Sequence, residues 1–324
     1  MGKYALKPFD SAIDHLLKMD CRADITASTS QPTHQLHSLK ETVIFNHDSP
    51  LDPQLRIAFI GGGNMAKAII AGLLKHGHSS QHILVCAPTQ ATRSEMVEQF
   101  NVRVHQDNST AAAFADVIIL AVKPFIVPLV CEELAPVIAQ HDGDKLVISI
   151  AAGVKQNTIS TKLGDHQRVI CAMPNLPTAI GKGLTGLYAP KLSQQADVDT
   201  ADHLMRAVGD TVWLQEESQM STIVATAGSS PAYFFLFLEA MEKAAINQGL
   251  PQATATKAVL QSAMGAIAMA MDSQHDFAKL RRQVTSPKGT TEQAILAFQH
   301  GELDALVANA MDSAADRAKE LSLG

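Results

Sequence analysis

The chain has 324 residues, 46% of them apolar, and a formal net charge of −6. That length holds two domains with a large core, and the acidic balance argues against nucleic acid as the main partner. No run approaches the apolar length of a membrane helix, since the longest, Pro231 to Leu238, stops at Glu239.

Residues 1–54 precede the first clear strand. Ala12, Ile13, Leu16 and Leu17 have the spacing of one short amphipathic helix, and Thr26 to Gln35 reads as loop. Lys3 and Lys7 are followed by no apolar core, so no secretory signal is expected. The segment reads as a flexible extension without chemistry, and Met19 offers an alternative start. Cys21, Cys86, Cys131 and Cys171 are dispersed, which suits a reducing cytoplasm better than a disulfide framework.

Ile57 to Ile60 is a short apolar run that leads into Gly61-x-Gly63-x-x-Ala66. Ile69, Ile70, Leu73 and Leu74 then follow at helical spacing. Strand, glycine turn and helix without a gap form the context that a dinucleotide fingerprint requires. Gly61 would permit the tight turn, and Gly63 would let the backbone approach a pyrophosphate. Ala66 would allow close helix packing, and the helix N-terminus would meet the phosphates. His76, His78 and His82 follow at a helix end and loop, with no carboxylate or cysteine at metal-site spacing. They read as solvated surface, and no metal is expected.

The second strand, Ile83 to Ala87, ends neutrally in Pro88-Thr89. An acidic residue there would bond a ribose 2′-OH. Its absence, with Arg93 one helical turn on, favours a 2′-phosphate and so NADPH, with NADH possible. Val102 to Val104 is a third short strand, and Asp107 to Ser109 reads as a helix cap. Ala115 to Val122 is a near-continuous apolar strand of the kind found in a covered parallel sheet, ending at Lys123-Pro124. Helix continues through Leu134. Further strands are expected at Lys145 to Ile150, Arg168 to Ala172, Gly183 to Ala189 and Thr211 to Leu214, with a helix around Val198 to Val208. The alternation of strand and helix predicts a mainly parallel sheet.

From Ser218 onward no strand pattern remains. Ile223 to Asn247 reads as helix broken at Gly228-Ser229-Ser230-Pro231, and Ala253 to Met271 as a helix apolar nearly all round. Such a helix needs burial on more than one side, which in a small domain points to a second subunit. Phe277 to Gln283, Thr291 to Gln299 and Leu303 to Leu321 complete the region. The fold expected is α/β: a doubly wound, mainly parallel Rossmann-type sheet over residues 55–216, followed by an all-helical dimerisation and substrate domain over residues 217–324.

Five motifs now stand in a fixed order: Phe59 to Ala66, Ala121-Val122-Lys123-Pro124, Met173-Pro174-Asn175-x-Pro177, Gly228-Ser229-x-Pro231-Ala232-Tyr233 and Thr285-Ser286-Pro287-x-Gly289-Thr290-Thr291. Together they resemble the pyrroline-5-carboxylate reductase family over about residues 55 to 321. The resemblance implies NAD(P)H-dependent reduction of the cyclic imine pyrroline-5-carboxylate to L-proline, the last step of proline biosynthesis. It also implies a homodimer or ring of dimers, with no nucleic acid or membrane partner. By position, it implies that Gly61, Gly63, Asn64 and Met65 line the pyrophosphate. Thr89, Arg93 and Asn108 would lie on the adenosine side. Ala121, Lys123 and Pro124 would flank the nicotinamide, with Asn175 and Pro177 below it. Ser286, Gly289, Thr290 and Thr291 would hold the substrate. The chain departs from the family pattern at Ala227, Ser230 and Lys288, and a lysine at 288 stands where the backbone can require positive φ.

Reducing a C=N bond needs a donor or water near nitrogen, an anion pocket and dry walls. Thr290-Thr291 opening a helix provides hydroxyls and free N–H groups, with Thr291 the candidate catalytic residue. Thr290 with Gln293 also has the spacing of a capping box. Lys123 reads as cofactor-flanking, and Tyr233 as packing with a hydrogen-bonded tip. The alternatives are a related NADP-dependent imine or β-hydroxyacid oxidoreductase, or a non-catalytic NADP-binding interaction protein.

Overall fold

The computed structural model describes residues 52–140 and 144–321. The short helix read around Leu16 and the loop after it lie outside the described residues. Eight strands form one sheet: β1 (Ile57–Ile60), β2 (Ile83–Cys86), β3 (Arg103–His105), β4 (Val117–Leu120), β5 (Leu146–Ser149), β6 (Val169–Met173), β7 (Gly183–Tyr188) and β8 (Gly209–Trp213). Their spatial order is β3-β2-β1-β4-β5-β6-β7-β8. The order reverses between β1 and β4, which opens a crevice at the carboxyl ends of those two strands.

The sheet is covered on both faces, as continuous apolar strands require. Alternate residues of β1 go to opposite sides. Ile57 and Phe59 pack under α1 (Asn64–Lys75) and α6 (Gln195–Arg206). Ala58 and Ile60 pack under α3 (Asn108–Phe114), α4 (Val127–Gln140) and α5 (Gln156–Lys162). All four residues of β1 are at most 1% exposed. A fully buried Ile or Phe of this kind contributes about 1.5–3 kcal/mol. Helix α2 (Gln90–Phe100) joins β2 to β3.

The strand–helix alternation breaks at one place. Only the 3₁₀ turn Leu176–Ile180 separates β6 from β7. That is too short for a parallel crossover, so β7 runs antiparallel to β6 and carries a parallel β8 with it. Helix α4 runs to Gln140 with Pro136 inside it, past the expected end near Leu134. One of the three histidines also differs from expectation. Gly77, at φ +89, and His78 close α1 by donating back to Leu74 and Leu73. This Schellman geometry folds His78 inward, and it is buried rather than solvated.

The second region is helical. It comprises α7 (Met220–Ile223), a π turn (Val224–Gly228), α8 (Ser230–Asn247), α9 (Gln252–Met271), α10 (Phe277–Gln283), α11 (Thr290–His300) and α12 (Leu303–Leu321). The expected break at Gly228 to Pro231 is instead a π turn, with the Ser229 N–H donating to the Val224 carbonyl at 2.7 Å. Helix is thereby continuous over Glu217–Asn247, a 31-residue run long and apolar enough by length and composition to cross a membrane. This corrects the sequence-based expectation that no run reaches that length, which began the run at Pro231 and ended it at Glu239. Within one chain, α8 and α9 leave a broad apolar face uncovered, including Phe234, Phe235, Met264 and Ile267.

Candidate active site

The carboxyl ends of β1 and β4 meet at backbone level. The Ala121 N–H donates to the Ile60 carbonyl, and the Gly61 N–H to the Cys86 carbonyl, both at 2.8 Å. Gly61 turns sharply at φ +109, a conformation open to glycine and strained for other residues. Gly63 is extended at φ −76, ψ 179 and serves as the N-cap of α1 without any side-chain cap bond. A β-carbon on Gly63 would meet nothing within 4 Å, so the space before the helix is open. No acidic residue stands in the first turn. An uncapped helix start facing open space, with its first N–H groups undirected to side chains, fits a dinucleotide pyrophosphate. Asn64 and Met65 open that turn, and Ala66 is buried against the sheet.

The middle glycine has a separate task. A β-carbon on Gly62 would lie 2.7 Å from Thr92 Cγ2 and 3.0 Å from Met96 Cε. Helix α2 therefore packs directly on this residue, a role that spacing alone did not show. Lys67 on α1 pairs with Glu95 on α2 and fastens the two helices beside the crevice.

On the β2 side, Thr89 caps α2, accepting from the Thr92 N–H and sharing a hydroxyl bond with Thr92 at 2.8 Å. Arg93 folds back over the strand end. Its Nη1 donates to the carbonyls of Ala87 (2.7 Å) and Pro88 (2.9 Å), and its Nη2 to Gln90 Oε1. The guanidinium thus sits at the neutral end of β2. Asp107 caps α3, and the Thr110 hydroxyl, with the Thr110 N–H, holds its carboxyl below the usual range. The Asn108 Nδ2 donates to Glu133 on α4 at 2.9 Å.

At the end of β4, Lys123 precedes the 3₁₀ turn Pro124–Ile126. Beyond β5 and β6, a cavity of about 300 Å³ opens between Ala151 to Lys155, Cys171 to Met173 and the helical run at Met220 and Val224. Its walls are mainly apolar. Burial pushes the Cys171 thiol up, and Cys86 and Cys131 are raised to about 11 and about 12 by the same cause. None of these thiols is a thiolate at neutral pH.

Asn175, at the carboxyl end of β6, is buried. Its Nδ2 donates to the Ala227 carbonyl at 3.0 Å, and its Oδ1 accepts from the Leu184 N–H at 2.9 Å. The cofactor-side positions named from the sequence therefore gather along one edge of the sheet. Arg93, Asn108 and Asn175 are already hydrogen-bonded within the protein.

The loop before α11 is built differently from the capping box read in the sequence. Gly289, not Thr290, is the N-cap, and no side chain caps the helix. Instead Glu292 Oε2 accepts from the Lys288 N–H at 2.8 Å. Lys288 adopts φ +60, so the positive-φ conformation is taken despite its β-carbon. The Gly289 N–H donates to the Ser286 carbonyl, and a β-carbon there would lie 2.9 Å from that oxygen. Thr290 and Thr291 follow as the first helical residues, both exposed. Among the described residues, the loop's hydrogen bonds run only within itself and to its own flanking helices.

Residues 217–321 match the family described as pyrroline-5-carboxylate reductase dimerisation, and residues 56–153 match NADP oxidoreductase coenzyme F420-dependent. The chain is 41% identical over 267 residues to the pyrroline-5-carboxylate reductase of Vibrio alginolyticus, covering 82% of this chain and 97% of that protein. Identity and coverage are the same for the enzyme of Pseudomonas aeruginosa. The chain belongs to the pyrroline-5-carboxylate reductase family. A solved pyrroline-5-carboxylate reductase from Coxiella burnetii superposes with a TM-score of 0.78 at 41% identity, covering 83% of this chain and 99% of that one. As in that family, a Rossmann-type sheet that takes a nicotinamide cofactor is joined to a helical region matching a dimerisation domain.

Proposed function

We propose that this chain reduces 1-pyrroline-5-carboxylate to L-proline, with NADPH preferred over NADH. Family membership carries this reading, and the open, uncapped glycine turn at Gly61 to Gly63 supports it independently. The cofactor, when bound, supplies the hydride that reduces the C=N bond.

The protein's own residues orient the reactants. The N–H groups of Asn64 and Met65 would bind the pyrophosphate at the start of α1. Thr89, Asn108 and Arg93 lie toward the adenosine. A guanidinium has five N–H donors, and three of those of Arg93 are engaged with Ala87, Pro88 and Gln90. Among the described residues the other two have no partner and can receive a 2′-phosphate, which supports the NADPH preference. Ala121, Lys123 and Pro124 at the end of β4 border the place for the nicotinamide, while Asn175, read from the sequence as lying below it, supports that place through its bonds to Ala227 and Leu184 and not by a contact of its own.

The substrate side is Ser286, Gly289, Thr290 and Thr291. The uncapped first turn of α11 offers N–H groups to the carboxylate. The Thr291 hydroxyl is the group to donate to the imine nitrogen or to hold the water that does. A second copy of the chain would cover the apolar face of α8 and α9 as a homodimer or ring of dimers. The three described cysteines are free and buried, in keeping with a reducing cytoplasm.

The test is NADPH oxidation by purified protein with pyrroline-5-carboxylate as substrate. Turnover with proline as product supports the reading. No turnover with this imine, alongside turnover with a β-hydroxyacid or another imine, sinks it.

A further inference from the structure

Pro231 creates a problem that Asn175 solves. In α-helical bonding the carbonyl of residue 227 accepts from the N–H of residue 231. Neither backbone donor in reach serves the Ala227 carbonyl, because Pro231, its α-helical partner, has no N–H, and the Ala232 N–H, its partner in π bonding, donates to Ser229 instead. Ala227 is 6% exposed, so water is a poor substitute. A buried carbonyl without a donor is destabilising. The Asn175 Nδ2 donates to this carbonyl at 3.0 Å.

The other end of the same amide is also engaged. Asn175 Oδ1 accepts from the Leu184 N–H at 2.9 Å, at the start of β7. One buried side chain therefore ties together the end of β6, the start of β7 and the π turn. Two close approaches flank the tie. Ile223 lies where a β-carbon on Gly186 would come within 2.7 Å of it. Met173 Cε lies 3.3 Å from the place of a β-carbon on Gly228. Around the π turn the helical run is thus seated on the carboxyl edge of the sheet at three adjacent points, of which the Asn175 tie is the polar and directional one, and at its start Glu217 accepts from the Gln156 N–H.

The seat adjoins the cavity beyond β5 and β6. Met220, Ser221 and Val224, one turn before the tie, form one of its walls. The same helical run continues into α8, whose apolar face is uncovered in the single chain. π turns recur at functional sites because they reposition backbone groups.

We infer that Asn175 is a positioning residue for the reductase reaction, replacing the N–H that Pro231 lacks and so fixing the helical region on the cofactor-bearing edge of the sheet. It acts through the Ala227 carbonyl rather than by touching cofactor or substrate. This rests on the reductase reading, which the wild-type rate tests by itself. A wild-type protein without turnover sinks both.

The experiment is a double-mutant cycle on the full chain. Asn175→Ala removes the donor, and Pro231→Ala returns a backbone N–H to the region of the orphaned carbonyl. Asn175→Asp keeps the acceptor for Leu184 and loses only the donor. For each variant, kcat/KM for pyrroline-5-carboxylate and the Kd for NADPH are measured.

Misplacement of a reaction site by about 1 Å costs up to roughly 100-fold, so Asn175→Ala and Asn175→Asp should each lower kcat/KM by about 10- to 100-fold. The NADPH Kd should stay close to wild type. Pro231→Ala alone should leave kcat/KM near wild type, and added to Asn175→Ala it should restore a large part of the loss. Should Asn175→Ala fail to fold, recovery of soluble, active protein on adding Pro231→Ala supports the inference equally. The inference is overturned by an absence of rescue, by an Asn175→Asp protein with wild-type kcat/KM, or by a parallel loss of NADPH affinity. A lowered melting temperature with unchanged kcat/KM also overturns it, since that marks a structural role alone.

Discussion

A β-carbon placed on Gly61 would sit 2.5 Å from the carbonyl oxygen of Ala121. The turn after β1 and the turn after β4 are in backbone contact, and this contact forms the floor of the crevice. Gly61→Ala should therefore damage the fold itself. Its φ of +109 and the clash act together, and strain with overpacking of this kind costs about 2–5 kcal/mol. Gly63→Ala makes the contrast, because a β-carbon there meets no protein atom. It should melt within about 0.5 kcal/mol of wild type yet bind NADPH at least tenfold more weakly. Calorimetry and cofactor titration on both variants check this pair. Equal cofactor affinity in Gly63→Ala and wild type would place the pyrophosphate elsewhere.

Arg93→Ala bears on cofactor choice. The guanidinium is held at the end of β2 by the Ala87 and Pro88 carbonyls, so its position does not depend on a ligand. Removing it should weaken NADPH binding by ~1.5–3 kcal/mol, the worth of a charged hydrogen bond, and NADH binding much less. Equal losses for both cofactors would show that Arg93 serves only the strand end.

The strands were the legible part of this chain. Ile57 to Ile60 and Val117 to Leu120 are buried on both faces, and such strands read as unbroken apolar runs. The glycine turn was legible because glycine alone takes the φ of residue 61. Helix α5 was not, since only Ile159 and Ser160 of its seven residues are buried. The π turn leaves no periodicity of its own, and Pro231 reads equally as a break or a helix start. The antiparallel β7 depends on the length of a loop rather than on its residues. At the site, Gly62 and Asn175 work through contacts with Thr92 and Ala227, distant in sequence, which no local pattern reveals.

Gly265→Glu tests the assembly. Beyond its own helix, no described residue lies within 4 Å of a β-carbon at this position, so the single chain tolerates a side chain there. Met264 and Ile267 beside it are exposed, which suits burial by a second copy. A glutamate carried into that face is an unpaired charge, and it should yield monomers or aggregates in size-exclusion chromatography with light scattering. An oligomer of full size with unaltered melting would move the interface off α9.

Asp202 gives the acid limb of stability. It is 2% exposed, and burial pushes its carboxyl up. Hydrogen bonds from Thr211, Arg206 and Trp213 outweigh burial and hold it below the usual value. A carboxyl depressed in the folded state stabilises fully above its unfolded value of about 3.9, and that contribution fades as the pH falls toward the folded value. Trp213 is the chain's sole tryptophan, and its Nε1 donates to Asp202 at 3.0 Å, so fluorescence reports on this carboxyl directly. Wild-type melting temperature should drop below about pH 4, and Asp202→Asn should show a lower but flatter profile there. Parallel profiles would assign the acid limb to other carboxylates.

Thr291 decides what the substrate loop contributes. Gly289 is the N-cap and Glu292 satisfies the Lys288 N–H, so the helix start is secured without either threonine hydroxyl. Thr291→Val keeps the shape and the β-branch and removes only the hydroxyl. Stability should therefore change by less than about 0.5 kcal/mol, the usual range for an exposed position free of capping duty. Threonine is too weak an acid to protonate an imine outright, so its effect on rate should be moderate. One hydrogen bond made in the transition state is worth ~1–3 kcal/mol, which corresponds to roughly 5- to 150-fold in kcat. NADPH affinity should not move, because the loop's hydrogen bonds are local and lie apart from the glycine turn. Steady-state kinetics and a thermal melt on the same preparation read all three quantities. A Thr291→Val protein that turns over at the full rate would leave substrate binding to the N–H groups of the first turn of α11 and remove Thr291 from the chemistry.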